Sequence, residues 1–384
     1  MKRRAWKQWV AGIGAAGLLG ACNSVPLHGN PVSSELRQAP ADFFEVGWWT
    51  PLVEPTQWEY APREFASPAV DPESGRVITL TRDGFVRSVA PGGKVEWAFK
   101  TGNRFNAGAL VHEGIAYVPG GDGFLYALDV RKGELKWKYE AGESLATVPV
   151  LAGGRVLVAS ESDTVFAVER ETGKWAWQYR RDPPSGFTIH GVSAPVVKDT
   201  TVYVGFADGY LVALDATGGT TKWEKSLAGG ATEFLDVDTT PVVDDAGRVY
   251  AASYQGGLYA LSADTGDVEW TTTVAGITSL LARGEVVFAA GEGRVDAYLG
   301  ETGRMLWSHN LGERAGRTPV MARGLLLVPN QRALLFMDPK TGHSRLAWNP
   351  GEGISAAPTV QGSTAYVLSN NGYLYALRLH GGGG

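Results

Sequence analysis

From Gly123 to Trp137 the chain reads GFLYALDVRKGELKW. Phe124, Tyr126 and Leu128 alternate with Leu125 and Ala127, the period of two that a strand with two different faces produces. Asp129 and Gly133 bound a short turn. An Asp side chain bonds to backbone two residues on, and Gly takes φ > 0 at no steric cost. A second strand then runs to Trp137, so the stretch predicts a hairpin.

The hairpin recurs. Trp97, Trp137, Trp177, Trp223, Trp270 and Trp307 occupy matching positions, separated by 40, 40, 46, 47 and 37 residues. Turn copies ending in Gly precede most of them, as in Glu171-Thr172-Gly173 and Glu301-Thr302-Gly303. Two further strand patterns stay in phase upstream. One is GRVLVA from Gly154, with relatives such as GIAYVP from Gly114 and GLLLVP from Gly324. The other is VPVL from Val148, with relatives such as TPVV from Thr240 and APTV from Ala357. Eight copies of four strands at a spacing of about 40 residues predict an all-β, eight-bladed propeller of antiparallel blades. Blade seven departs from the pattern. Leu346 stands in its Trp slot and Trp348 two residues later, which reads as a bulged edge.

One Trp per blade also invites a cofactor reading. A single cofactor would not require a ring in every repeat, so the residues read as packing between neighbouring blades. The eighth repeat ends at Leu379 without an outer strand. The stretch 55–62, PTQWEYAP, resembles the missing piece. Its Trp58 is therefore expected to close the ring and remove the open sheet edges.

Composition changes this picture little. With 51 Gly in 384 residues, many tight turns are affordable, and a net charge of −5 without a basic stripe argues against nucleic acid as a partner. The one cysteine, Cys22, lies outside the repeats, which leaves them no disulfide or thiol chemistry. No HExxH, CxxC or calcium-loop pattern occurs, so neither a metal nor a cofactor is signalled.

Residues 1–21 read as a signal peptide: a basic start (Lys2, Arg3, Arg4, Lys7), then a short apolar core too short to span a bilayer. Leu19-Gly20-Ala21-Cys22 resembles the bacterial lipobox, which implies lipidation at Cys22. Asn23 next to it implies sorting to the outer membrane, facing the periplasm. The competing reading is an ordinary secretory signal with a chance cysteine. Residues 22–54 read as a tether, 55–379 as the propeller and 380–384 as a tail. Phe43, Phe44, Trp48 and Trp49 interrupt the tether and leave two readings open: packing on the propeller, or contact with a partner.

Function on a repeat scaffold sits where repeats differ. Two links between blades are long: Arg181–Ser193 after blade three and Ala228–Thr239 after blade four. They hold Phe187, Ile189 and His190 in one, and Phe234, Leu235, Asp236 and Asp238 in the other. Apolar groups rimmed by charge suit a protein-docking patch. The alternative is that the apolar residues pack back on the propeller and the aspartates cap turns.

Lipobox, tether and eight-bladed ring together resemble the BamB family, the lipoprotein subunits of the outer-membrane β-barrel assembly machinery. FTIHGVSAPVV and TEFLDVDTTPVV are similar to the family's two loop stretches that contact BamA, the barrel-forming insertase. The resemblance implies that Phe187 and Ile189 fill two apolar slots, His190 a basic slot, and Asp236 and Asp238 an acidic pair. His in place of Arg loses the fixed charge and the bidentate fork. It also implies a non-catalytic scaffold with BamA and other assembly subunits as partners, the membrane reached through the Cys22 lipid, and nascent outer-membrane strands as clients. The rivals are a quinone-dependent dehydrogenase, which this propeller type also resembles, and a propeller binding another envelope protein or a polysaccharide.

Overall fold

In the computed structural model, residues 43–54, 61–182, 192–230 and 234–381 are described. They form eight antiparallel blades arranged in a ring, with no helix among them. Blade two shows the plan: Leu110–His112, Ile115–Pro119, Phe124–Asp129 and Leu135–Glu140, hydrogen-bonded in that order. Blade six departs in form only. A continuous strand, Val286–Leu299, contains Gly293 at φ +74°, and its two halves pair with Ile277–Arg283 and Met305–Ala315.

Middle strands such as Phe124–Asp129 are buried along nearly their whole length. Both of their faces lie against neighbouring blades, so apolar residues occupy both phases of the alternation. Only the outer strands keep a wet and a dry face, as in Leu135–Glu140. The core is accordingly distributed among the seams between blades. Tyr117, Leu125 and Ala127 of blade two pack with Val156, Phe166 and Val168 of blade three.

A repeated contact welds these seams. The indole Nε1–H of Trp137 donates to the carbonyl of Arg170 in the next blade's outer turn, at 3.0 Å. Trp97, Trp177, Trp223, Trp270 and Trp307 do the same, at 2.7–3.2 Å. The turn residue under each ring is Gly. At Gly173, with φ +66°, a Cβ would lie 2.4 Å from the Trp137 ring. Opposite each Trp on its own blade sits Ala or Ser, for example Ala127 opposite Trp137 and Ser88 opposite Trp97. A large ring thus faces a small residue and a bare backbone, and its polar edge is satisfied.

The ring closes through Phe44–Pro51, which pairs antiparallel with Tyr373–Leu379 as the outer strand of blade eight. This corrects two expectations. The closing strand comes from the stretch read as tether, and Trp48 rather than Trp58 takes the slot. Trp48 stands opposite Ala376 and donates to the Pro91 carbonyl of blade one at 2.6 Å. Trp58 lies outside the described residues. The alternation in EVGWWTP fits a strand edge as well as PTQWEYAP does; the register with Ala376 decides between them. Phe44, 1% exposed, stacks on Phe336 with ring centres 5.2 Å apart.

Closure from the N-terminal side also explains Leu346. The outer strand of blade eight is Phe44–Pro51, so no hairpin turn joins it to the third strand, Tyr373–Leu379, to receive an indole from blade seven. The outer edge of blade seven is no more bulged than the others. Leu346 pairs with Phe336, and the register shift beside it recurs next to Ala127 and Ala213. Trp348 instead turns into the seam, against Phe44 and Tyr375.

A second latch lies past the closing strand. The amides of Leu52 and Val53 donate to Gly372 of blade eight. Glu64, 2% exposed, accepts from the Arg82 guanidinium at 2.5 Å and its amide at 2.9 Å, while its own amide donates to Asn370. Burial pushes the Glu64 carboxyl up to about 7, against the pull of Arg82.

Two predictions follow from this packing. Gly173→Ala should destabilise the fold by about 2–4 kcal/mol, because the added methyl meets an indole and the residue keeps a left-handed backbone; thermal unfolding checks this, and an unchanged Tm would contradict it. Glu64 holds its proton in the fold to higher pH than in the unfolded chain. Its contribution to stability is therefore full below pH 4.5 and lost as pH rises through about 7. Relative to Glu64→Gln, the wild type should lose up to roughly 3 kcal/mol across that window in denaturant titrations.

Candidate partner-binding face

Links between blades share one face of the ring with the hairpins joining second and third strands. The hydrogen bonds place them together: Thr101 to Gly84, Leu227 to Gly209, and Val237 to Phe206, at 2.8–3.1 Å. The described ends of the first long link, Arg181 and Ser193, and residues 234–239 of the second lie on this face. Of the first, 183–191 lie outside the described residues, and with them Phe187, Ile189 and His190. Cys22 is likewise outside.

The root of the first link is held by Arg181. Its Nε pairs with Asp208 of blade four at 2.6 Å, and its second branch with Glu224 at 2.7 Å and the Tyr179 hydroxyl at 3.2 Å. The guanidinium also lies over the Tyr210 ring, 4.5 Å from its centre. Half-buried, it is fastened by geometry that a point charge would not supply. Asp163, on the adjoining hairpin at φ +55°, accepts from the Arg181 amide through its carbonyl and from the Ala207 amide through its side chain. Burial raises the Asp163 pKa, and the carboxylates of Asp208 and Asp236 add to the shift.

The second link dips into the molecule. Val237 crosses Gly205, where a Cβ would lie 2.2 Å from the Val237 carbonyl. The Leu235 carbonyl accepts from Ser253, and the Asp236 carbonyl accepts from the Tyr254 amide. Asp236, Val237 and Thr239 are all 0% exposed, while Phe234, Leu235 and Asp238 are half-buried. This corrects the reading of Asp236 and Asp238 as a matched pair of rim charges. Burial along the DVDTT stretch does not alternate: Asp236, Val237 and Thr239 are enclosed, and Asp238 is the acid nearer solvent.

The ends of the two links are tied together. Ser193, 3% exposed, donates to the Thr239 carbonyl and accepts from the Gly205 amide, both at 3.0 Å. Thr239 in turn clamps Ala252 through both backbone groups. Arg181 and Ser193 went unremarked in the sequence. The available signal was Ser193 standing at the position that Thr147 and Thr239 hold in other repeats.

What the fold defines is a closed eight-bladed propeller, with the described ends of its two long links tied together on one face. Among the described residues no group of three or more His, Cys, Asp or Glu is placed to hold a metal ion. A family model described as "Outer membrane protein assembly factor BamB" matches residues 82–295 and 291–382. The chain belongs to the BamB family of outer membrane protein assembly factors. The BamB of Shewanella oneidensis is 28% identical over 401 residues, covering 97% of this chain and all of the relative. The crystal structure of BamB from Moraxella catarrhalis superposes with a TM-score of 0.76 at 25% identity, over 87% of this chain and 99% of that one. A quinohemoprotein alcohol dehydrogenase from Comamonas testosteroni reaches a TM-score of 0.69 at 14% identity, over 90% of this chain and 78% of that one, a likeness of fold alone.

Ser193→Ala removes one hydroxyl but strands the buried Gly205 amide and frees the Thr239 carbonyl. It should cost about 1–3 kcal/mol and speed amide exchange at Gly205. Protection at Gly205 equal to wild type would contradict the tie.

Proposed function

We propose that the protein is a non-catalytic, lipid-anchored scaffold subunit of the outer-membrane β-barrel assembly machinery. The links after blades three and four dock on the periplasmic domains of BamA, and the assembly promotes insertion of outer-membrane barrels. Family membership supports the general role. The fastening of the first link's ends on the face of the second, through Arg181 and Ser193, is the observation that supports the docking reading. No helix among the described residues is long and apolar enough to cross a membrane. Attachment falls to the lipid on Cys22, since a lipid-anchored protein needs no spanning helix.

Roles divide by burial. Phe187 and Ile189 provide apolar area to desolvate at the centre of the contact, and His190 the basic group beside it. Asp238 meets the partner from the second link. Asp236, enclosed, acts through the shape of that link and is a positioning residue.

Affinity purification of the intact chain should recover BamA. Asp238→Ala should lower that recovery several-fold with little change in Tm, whereas Asp236→Ala should lower recovery and Tm together. Undiminished recovery with both variants would refute docking through this link. Because His190 stands in the basic slot, binding should weaken as pH rises from 6 to 8, and His190→Arg should flatten that dependence. A wild-type affinity constant across this range would remove His190 from the contact.

A further inference from the structure

The same face carries a second feature on the far side of the ring from the long links. A cavity of about 790 Å³ opens where the segment 61–63 passes the link after blade six, the hairpin of blade seven and the link into blade eight. Arg63, Arg314 and Arg332 line it, with Gln331 beside them and Glu352 as the one acidic residue among the described lining. A smaller cavity of about 320 Å³ shares Arg63 and adds Arg104. Behind Phe65 sits Arg317, its guanidinium 6.0 Å from the ring centre.

These arginines are unbalanced. None of Arg63, Arg104, Arg314, Arg317 and Arg332 forms an ion pair among the described residues, in a chain whose net charge is −5. Arg82, close by, is taken by Glu64. The Nε of Arg317 is buried with no hydrogen-bond partner among the described residues. Burial, and then the like charge of Arg63, lower the Arg317 pKa. An orphaned buried donor and crowded like charges cost stability unless an anion balances them. A concave site of one sign concentrates counter-charge, and the larger cavity has the size of a small-molecule site. Guanidinium forks match carboxylate and phosphate oxygens in pairs.

The geometry points to an oxyanion-binding site at Arg63, Arg314 and Arg332, with Arg317 adding its charge from behind Phe65, which takes a ligand bearing two or more carboxylate or phosphate groups. It stands independently of the docking proposed for the other sector. Calorimetric titration of the intact chain at low salt, with sodium pyrophosphate in one arm and citrate in the other, tests it and separates the two chemistries. Saturable binding at one site per chain is expected in at least one arm, weakened tenfold or more by Arg63→Gln and by Arg332→Gln. Arg131→Gln, in an outer turn on the opposite face, should bind as wild type. Arg317→Gln removes an unpartnered charge, so without ligand its Tm should equal or exceed that of wild type, and the bound anion should raise the Tm of wild type but not that of Arg63→Gln. No saturable binding in either arm would overturn the proposal. So would equal weakening by Arg131→Gln, which would mark nonspecific ionic attraction.

Discussion

The structure depends on an indole lying across a seam. In seven of the eight seams a Trp on one outer strand reaches the next blade, covers a turn glycine, and gives its N–H to a turn carbonyl. One contact does three things. It buries a large apolar area, satisfies the ring's only polar atom, and forbids a side chain on the turn beneath. Because each Trp depends on a neighbour's glycine, the repeats are stable as a set, and the spacing of Trp residues along the chain is the spacing of blades.

The exception follows from the same rule. A ring made from one open chain must join its two ends somewhere, and here the last blade borrows its outer strand from residues 44–51. Blade eight consequently has no outer turn, and blade seven has no acceptor for an indole. Leu346 and the cluster of Phe44, Phe336, Trp348 and Tyr375 fill that seam by apolar packing instead. The aromatic residues within the presumed tether belong to this closure.

Much of the fold was legible because repetition turns a weak strand pattern into a strong one. Single features were less so. Two stretches near the N-terminus carry a Trp among alternating residues, and local pattern does not distinguish them; the partner strand does, through Ala376 opposite Trp48. At the face of the long links, link lengths were legible and side-chain burial was not. Asp236 and Asp238 are chemically identical two residues apart, yet one is enclosed and the other half-buried, a difference that no periodicity in the stretch announces. Arg181 and the arginines around Arg317 act across blades, and such groupings have no signature in linear order.

The most direct test of the seam account is hydrogen exchange at the indole N–H groups, read from ¹⁵N-Trp spectra of the intact chain. The indoles of Trp48, Trp97, Trp137, Trp177, Trp223, Trp270 and Trp307 should all exchange far more slowly than that of Trp175, which is 57% exposed on an outer strand. Exchange of the Trp48 indole at the Trp175 rate would contradict closure by residues 44–51. Fast exchange across the set would contradict the indole weld itself.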